Sequence, residues 1–475
     1  MTNKRIVVLI ALALTFLFST TGCSIFSNKL IVYTQPNPSP KEYKVVDEGD
    51  YFLAVSVSGG GSRSAVWSAA VYKELFKQVK LPDGRSILDE IDYISSVSGG
   101  SVSSAYYCLN KPEVDTINIA EYEEFFDTYL KNMRRNIERD ILLKPWLWYR
   151  IFLQPVDLAF FLKWDFDKYY FYNKTFDDLY QRQKDGISPT LIVNGTVMDT
   201  GARFLFSTVE RDAFKFDLEE EIVSRFEDTG LYKSNILFYE ELVEVLFCDD
   251  IGLEIGDMEI SRAVVASAAV PVLFGPIILK DEIRSTPQKN IYTHVGDGGV
   301  GDTLGLDSVV ELAIDRYNDP NKKFKGGMVI IIDANQIIDP EASEGVVRGL
   351  KFGPTIERSR VIYAYRGKTL AYITIMFLQE NPRYKDIDFV YISPYLVEDP
   401  EILESFKQKP GIEKYTPAEL DVIVNLFQKT PTRFKIEPEL ADNLERAAEI
   451  VVGNVKDMIL ENYLRSNATE GGRGD

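Results

Sequence analysis

The chain has 475 residues, of which 45% are hydrophobic, 26% charged and 12% aromatic, so it can bury a sizeable core and is unlike collagen, coiled-coil or disordered sequences. Its formal charge of −19 disfavours nonspecific contact with nucleic-acid phosphate and repels an anionic bilayer, so membrane contact must come from apolar surface or a covalent lipid. The three cysteines, Cys23, Cys108 and Cys248, have no CxxC or Cys/His spacing and argue against a disulfide framework or zinc module, leaving open whether Cys108 and Cys248 pair after export. A single histidine, His294, restricts every mechanism that needs an imidazole.

Lys4 and Arg5 precede the apolar run Ile6 to Phe18, and small or polar residues Ser19 to Gly22 follow, which is the order of a secretory signal. The run is short for a membrane span. Gly22 before Cys23 is similar to a bacterial lipoprotein signal, in which that cysteine is acylated; Thr20 stands where leucine is usual there. The alternative is a plain cleaved leader. Residues 1–22 are thus expected to leave, and 23–45, proline-rich toward Pro40, to act as a tether.

Phe52 to Val57 is an apolar, β-branched run that ends in Gly59, Gly60 and Gly61, and Ala65 to Val79 then carries helical spacing. The pattern recurs as Tyr93 to Val97, Ser98-Gly99-Gly100 and a small-residue helix over Val102 to Leu109. Two successive strand–loop–helix units predict a parallel α/β sheet buried on both faces. Residues 113–186 are too long for a simple connection and dense in aromatics, from Phe125 and Phe126 through Trp146, Trp148, Tyr149 and Phe152 to Phe160, Phe161, Trp164, Tyr169, Tyr170 and Phe171. They fit either an acyl-binding cap or an inserted subdomain with its own core; inward packing is the commoner fate of clustered aromatics. Further strands are expected at Thr190 to Met198, Phe204 to Ser207, Met328 to Asp333 and Phe389 to Ile392, with helices at Ser261 to Ala269, Ser308 to Tyr317 and Ala441 to Leu464.

Three segments carry chemistry. SVSGG at Ser96 to Gly100 sits where a strand turns into a helix, which is where an elbow exposes a nucleophilic serine, here Ser98. SGGGSRS at Ser58 to Ser64 can aim backbone N–H groups at one point near a helix N-terminus, a geometry that stabilises an oxyanion. It lacks the lysine of a phosphate loop and has Ser64 where a dinucleotide fingerprint needs glycine. GDGG at Gly296 to Gly299 holds Asp297 between glycines, although an Asp-Gly pair alone is an ordinary turn signal.

Taken together and in this order, GGGSR, SVSGG and DGG resemble the patatin-like phospholipase family over about Phe52 to Val300, and LIVNGTVMDTGARFLFS (Leu191 to Ser207) and SRAVVASAAVPVLFGP (Ser261 to Pro276) are similar to its supporting segments. The resemblance implies a three-layer α/β sandwich with a mostly parallel central sheet, the aromatic insertion and a helical C-terminal region. It implies Ser98 as nucleophile, Asp297 as general base, and Gly59, Gly60, Gly61 and Arg63 as the oxyanion loop, with no metal or other cofactor. No histidine follows Asp297, so the Ser–acid–His chain order of α/β-hydrolases is not met. Ser96, Ser58 and Ser64 depart from the family's usual residues.

The expected organisation is a catalytic core over 46–320 containing the 113–186 insertion, then 321–466 as the end of the same fold or a helical extension, then a disordered tail over 467–475. The expected activity is hydrolysis of carboxylic esters of phospholipids or other glycerolipids through an acyl-serine, by an exported protein held at a membrane of the bacterial envelope through Cys23. The outer membrane or the cell surface is the expected place of attachment. The same residues fit acyl transfer to another alcohol, and a catalytically silent lipid- or protein-binding lipoprotein is the alternative outside enzymology. Arg262, Asp302 and Asp333 read as structural.

Overall fold

A computed structural model describes residues 32–35, 38, 41–44, 49–142, 158–214, 245–270, 275–319, 324–336, 352–398, 422, 424–428 and 432–468. The leader (1–22), Cys23, Trp146, Trp148, Tyr149, Phe152 and residues 469–475 lie outside them.

Among the described residues ten strands form one mixed sheet. They are β1 (Val32–Tyr33), β2 (Tyr51–Val57), β3 (Tyr93–Val97), β4 (Thr190–Val197), β5 (Arg203–Phe206), β6 (Val245–Phe247), β7 (Ile277–Lys280), β8 (Tyr292–Asp297), β9 (Gly326–Ile332) and β10 (Ile387–Ile392). The order β1-β7-β8-β4-β3-β2-β9-β10, with β5 and β6 off β4, is parallel from β4 through β10; β8 is antiparallel to β4. β2 displays why the sheet is central. Its seven residues are all buried, with Leu53 and Val55 in one apolar cluster and Phe52 and Ala54 in the other, the signature of a strand covered on both faces.

The helices that matter below are, in chain order, α1 (Ser62–Gln78), α2 (Gly99–Asn110), α3 (Ile119–Met133), α4 (Ile137–Leu142), α5 (Leu158–Phe166), α6 (Phe176–Lys184), α7 (Ile260–Ser267), α8 (Leu306–Asn318), α9 (Phe352–Glu380) and α10 (Pro438–Ala468). α1, α2 and α10 pack on one face of the sheet, α8 and α9 on the other. β9, β10 and α10 come from beyond residue 320, so the C-terminal segment builds the central sheet and covers it.

Most described aromatics of the insertion pack inward. Phe126, Tyr122 and Tyr129 of α3 are fully buried against Phe76 of α1 and Tyr106 and Tyr107 of α2. These described residues join the main core, and Trp164 and Tyr172 are the insertion's exposed aromatics among the described residues. The stretch read as a tether is also partly claimed by the core. Val32 and Tyr33 add a strand to β7, and Gln35 exchanges hydrogen bonds with the backbone of Glu254.

Candidate active site

Ser98 caps α2 at the C-terminal end of β3, with φ 53 and ψ −121. This is a conformation that side-chain-bearing residues enter only under constraint, and its N–H donates to Ser267 Oγ at 2.8 Å. Ser267 closes α7 and also contacts Ser101 Oγ at 3.2 Å. The glycines after Ser98 are required by contact: a side chain at Gly99 would put its first carbon 2.0 Å from the Gly61 carbonyl oxygen, and one at Gly100 would lie 2.6 Å from that of Ser58. Ser96 fits where glycine is usual because its hydroxyl donates to the Ile192 carbonyl of the neighbouring strand at 3.2 Å.

The glycine loop between β2 and α1 lies directly against this elbow. Gly60 has φ 147 and Gly61 φ 62, ψ −143, open only to glycine. Its four predicted residues divide by role. Gly59 donates its N–H to the Thr303 carbonyl at 3.1 Å, and Arg63, 2% exposed, donates Nε–H to the Ala334 carbonyl at 3.0 Å with its guanidinium over Phe427. Among the described residues the N–H groups of Gly60, Gly61 and Gly99 have no acceptor. They are the donors that an incoming oxygen could use.

Asp297 reaches the same point through sheet register. β4 pairs β5 along one edge over Val193 to Thr196, so β3 and β8 must share its other edge. They meet head to head: Val97 is opposite Asn194 and Asp297 opposite Gly195. One register step, roughly 3.3 Å along the strand, separates the end of β3, just before Ser98, from Asp297. Only glycine fits at 298, where a side chain would lie 2.2 Å from the Asn194 carbonyl oxygen. Asp297 is 7% exposed; its Oδ1 accepts the Gly299 N–H at 2.8 Å, and its backbone carbonyl accepts from Thr196 Oγ1 at 3.0 Å.

The remaining singled-out residues have other partners. His294 Nδ1 is 2.9 Å from Asp199 Oδ2. Arg262 binds Glu259 and covers the Tyr33 ring. Asp302 accepts the N–H groups of Leu304, Gly305 and Asp307, each at 2.9 Å, and burial beside Asp307 pushes its carboxyl up to about 7. Asp333, wholly buried, is paired with Lys368 at 2.5 Å and hydrogen-bonded by Tyr391; despite burial, those partners hold its carboxyl below the usual range. Cys108 and Cys248 are free, buried thiols, and desolvation pushes Cys108 up to about 12 and Cys248 higher still. Sequence reasoning missed Ser267, Thr303 and Asn194. Asn194 donates to Ser95 Oγ and the Ser96 carbonyl and accepts from Ser308 Oγ; such one-atom contacts across long sequence separations leave no local pattern. Among the described residues no group of His, Cys, Asp and Glu side chains could hold a metal ion, and no helix is long and apolar enough to cross a membrane.

Comparison with known proteins adds a family. The sequence model described as patatin-like phospholipase matches residues 55–310, which hold all three motifs. Among solved structures the chain is similar to human GIVD cytosolic phospholipase A2, at 11% identity and TM-score 0.48 over 87% of this chain and 60% of that one. The inhibitor complex of the same human protein with methyl gamma-linolenyl fluorophosphonate gives TM-score 0.41 at 11% identity, covering 88% and 59%. VipD from Legionella pneumophila gives TM-score 0.24 at 9% identity, covering 94% of each chain. This chain thus spans about 60% of the human phospholipase chain it matches. No curated protein matches the sequence.

Proposed function

We propose, because the chain belongs to the patatin-like phospholipase family, that it is a serine lipid acyl hydrolase cleaving carboxylic esters of phospholipids or other glycerolipids with Ser98 and Asp297. The observation that carries this reading is the head-to-head meeting of β3 and β8 on one edge of β4, beneath the glycine loop.

In the proposed reaction Asp297 takes the Ser98 Oγ proton as that oxygen attacks the ester carbonyl carbon. A carboxylate is ordinarily a weak base toward a hydroxyl, and a nearly closed site that excludes water is what makes the transfer workable. Negative charge moves to the carbonyl oxygen, where the N–H groups of Gly60, Gly61 and Gly99 can hold it without reorganising. Collapse breaks the ester C–O bond; the departing alkoxide takes the proton from Asp297 and leaves as the alcohol. Water, giving its proton to the same carboxylate, then attacks the acyl-serine; the acyl C–Oγ bond breaks, Asp297 returns the proton to Ser98 Oγ and the fatty acid leaves.

Labelling with a fluorophosphonate and mapping the modified residue tests the reading. Label at Ser98, absent in Ser98→Ala and slowed by about a hundredfold or more in Asp297→Asn, is the expected result; label elsewhere, or none, overturns it. The leader sequence further supports export and attachment to a bacterial envelope membrane through Cys23. In that case Cys23→Ser lowers activity on vesicles more than on dissolved esters, and equal losses on the two substrates count against the anchor.

A further inference from the structure

The acidic chain needs an apolar surface to meet a bilayer, and helix α9 gathers one on a single element. Its inner face is a regular stripe of buried residues, Val361, Ala364, Lys368, Ala371, Ile375 and Leu378, of which Ala371, Ile375 and Leu378 join the apolar cluster on that side of the sheet. Its outer face is apolar too: Ile362, Tyr365, Leu370, Ile373 and Met376 are all exposed, Leu370 by 66%, Ile373 by 57% and Met376 by 58%. On a helix of 100° per residue these five fall within one arc of about 140°, and from Ile362 to Met376 the arc runs roughly 21 Å along the axis.

Two observations say what covers this face. The first is charge. From Arg358 to Gln379 the sequence has no acidic residue, although the chain carries 72, and Arg366 stands exposed within the arc. That local balance removes the repulsion that the rest of the surface would exert on anionic lipid. The second is position. α9 is pinned to the rim that holds the candidate site: Lys368 pairs with Asp333 just past β9, and Gly367 packs on Thr303, whose carbonyl holds Gly59. The helix that carries the outer face is thus fixed to the rim through its inner side.

We propose that the outer face of α9, from Ile362 to Met376, is a docking surface for a lipid bilayer, lying in the interface with its apolar side chains among the acyl chains. This rests on the reading that the chain acts on membrane lipid esters, and its test separates the two. The full chain carrying Ile373→Cys and Cys23→Ser is labelled with an environment-sensitive nitrobenzoxadiazole probe, since Cys108 and Cys248 are buried. It is then mixed with phosphatidylcholine vesicles with and without phosphatidylglycerol. A blue shift on adding vesicles, larger with phosphatidylglycerol, is expected. No shift with either vesicle overturns the proposal, and so does a shift already present in buffer that grows with protein concentration, because a second copy then covers the face. In the otherwise native chain, Ile373→Glu with Met376→Glu is expected to lower hydrolysis of vesicle lipid by about tenfold or more while a dissolved short-chain ester is still cleaved within about twofold. Equal losses on both substrates go against it. A vesicle-dependent shift in a protein that cleaves no ester supports the docking surface and sinks the hydrolase reading.

Discussion

Replacing Gly99 by alanine tests the contact between elbow and glycine loop. The added carbon would lie 2.0 Å from the Gly61 carbonyl oxygen and 2.6 Å from the Gly61 carbon and nitrogen, whereas a comfortable carbon–oxygen approach is about 3.4 Å. Backbone on both sides has no rotamer to change, so the two segments must part by roughly 1.4 Å, and the N–H groups of Gly60 and Gly61 move away from the Ser98 hydroxyl. A misplacement of about 1 Å in a reacting geometry costs on the order of a hundredfold, and loss of one oxyanion donor costs about a hundred- to a thousandfold. The expected fall in kcat/KM on a dissolved ester is therefore about a hundred- to a thousandfold, with about 1–3 kcal/mol lost from stability as overpacking. Gly59→Ala is the comparison. Its added carbon meets Ser98 Cβ at 3.4 Å and Val97 Cγ1 at 3.5 Å, ordinary contacts, and its loss of kcat/KM should stay within about tenfold. Assays belong well below each variant's Tm, with circular dichroism to measure that Tm. A Gly99→Ala enzyme working within about threefold of the parent would refute the claimed apposition of the two backbones.

Ser267→Ala leaves the buried Ser98 N–H without its acceptor and should cost about 1–3 kcal/mol, with a slower fluorophosphonate reaction at Ser98; unchanged melting and labelling would remove Ser267 from the elbow's support. Lys368→Met strands the fully buried Asp333 carboxylate and should destabilise by about 3–5 kcal/mol in urea unfolding, whereas a loss under about 1 kcal/mol would mean the pair does not pin α9. Asp302 binds its proton more tightly folded than unfolded, so its contribution is complete below pH about 3.8 and fades as pH rises toward about 7. Urea midpoints across that window should fall less with pH in Asp302→Asn than in the parent, and parallel profiles would exclude this titration. Cys108 and Cys248 should resist a thiol reagent at neutral pH in the native protein and react after denaturation; prompt native reaction would contradict their burial.

Much of this was legible from spacing. The strands expected at Phe52 to Val57 and Tyr93 to Val97 correspond to β2 and β3, and the small-residue helix after Ser98 starts three residues earlier than its apolar spacing suggested, because Gly99 and Gly100 carry no pattern. Those glycines announce themselves in sequence because close backbone approach admits nothing else. α9 was not legible. Apolar residues around its whole circumference erase the one-sided period that marks a surface helix, and its inner stripe carries Lys368, whose partner Asp333 is distant in sequence. β1, β6 and β7, of two, three and four residues, are too short for alternation to register. In the glycine loop, the family resemblance implied four contributors but could not say which N–H groups were already bonded. That depends on the Thr303 and Ala334 carbonyls, brought in by the folded chain.

The shared edge of β4 makes that strand a gauge block for the chemistry. The strand that ends before Ser98 and the strand that ends in Asp297 are each referenced to it, at Asn194 and Gly195, and neither is positioned by the length of chain between them. Loops between the buried helices of the segment joining β3 to β4 can therefore vary in length across descendants of this sequence without detuning the pair. One residue gained or lost within β4 would shift the spacing by about 3.3 Å and turn its side chains to the opposite face. Evolutionary freedom in the long excursion and intolerance in an eight-residue strand that supplies none of the reacting atoms are two sides of one construction.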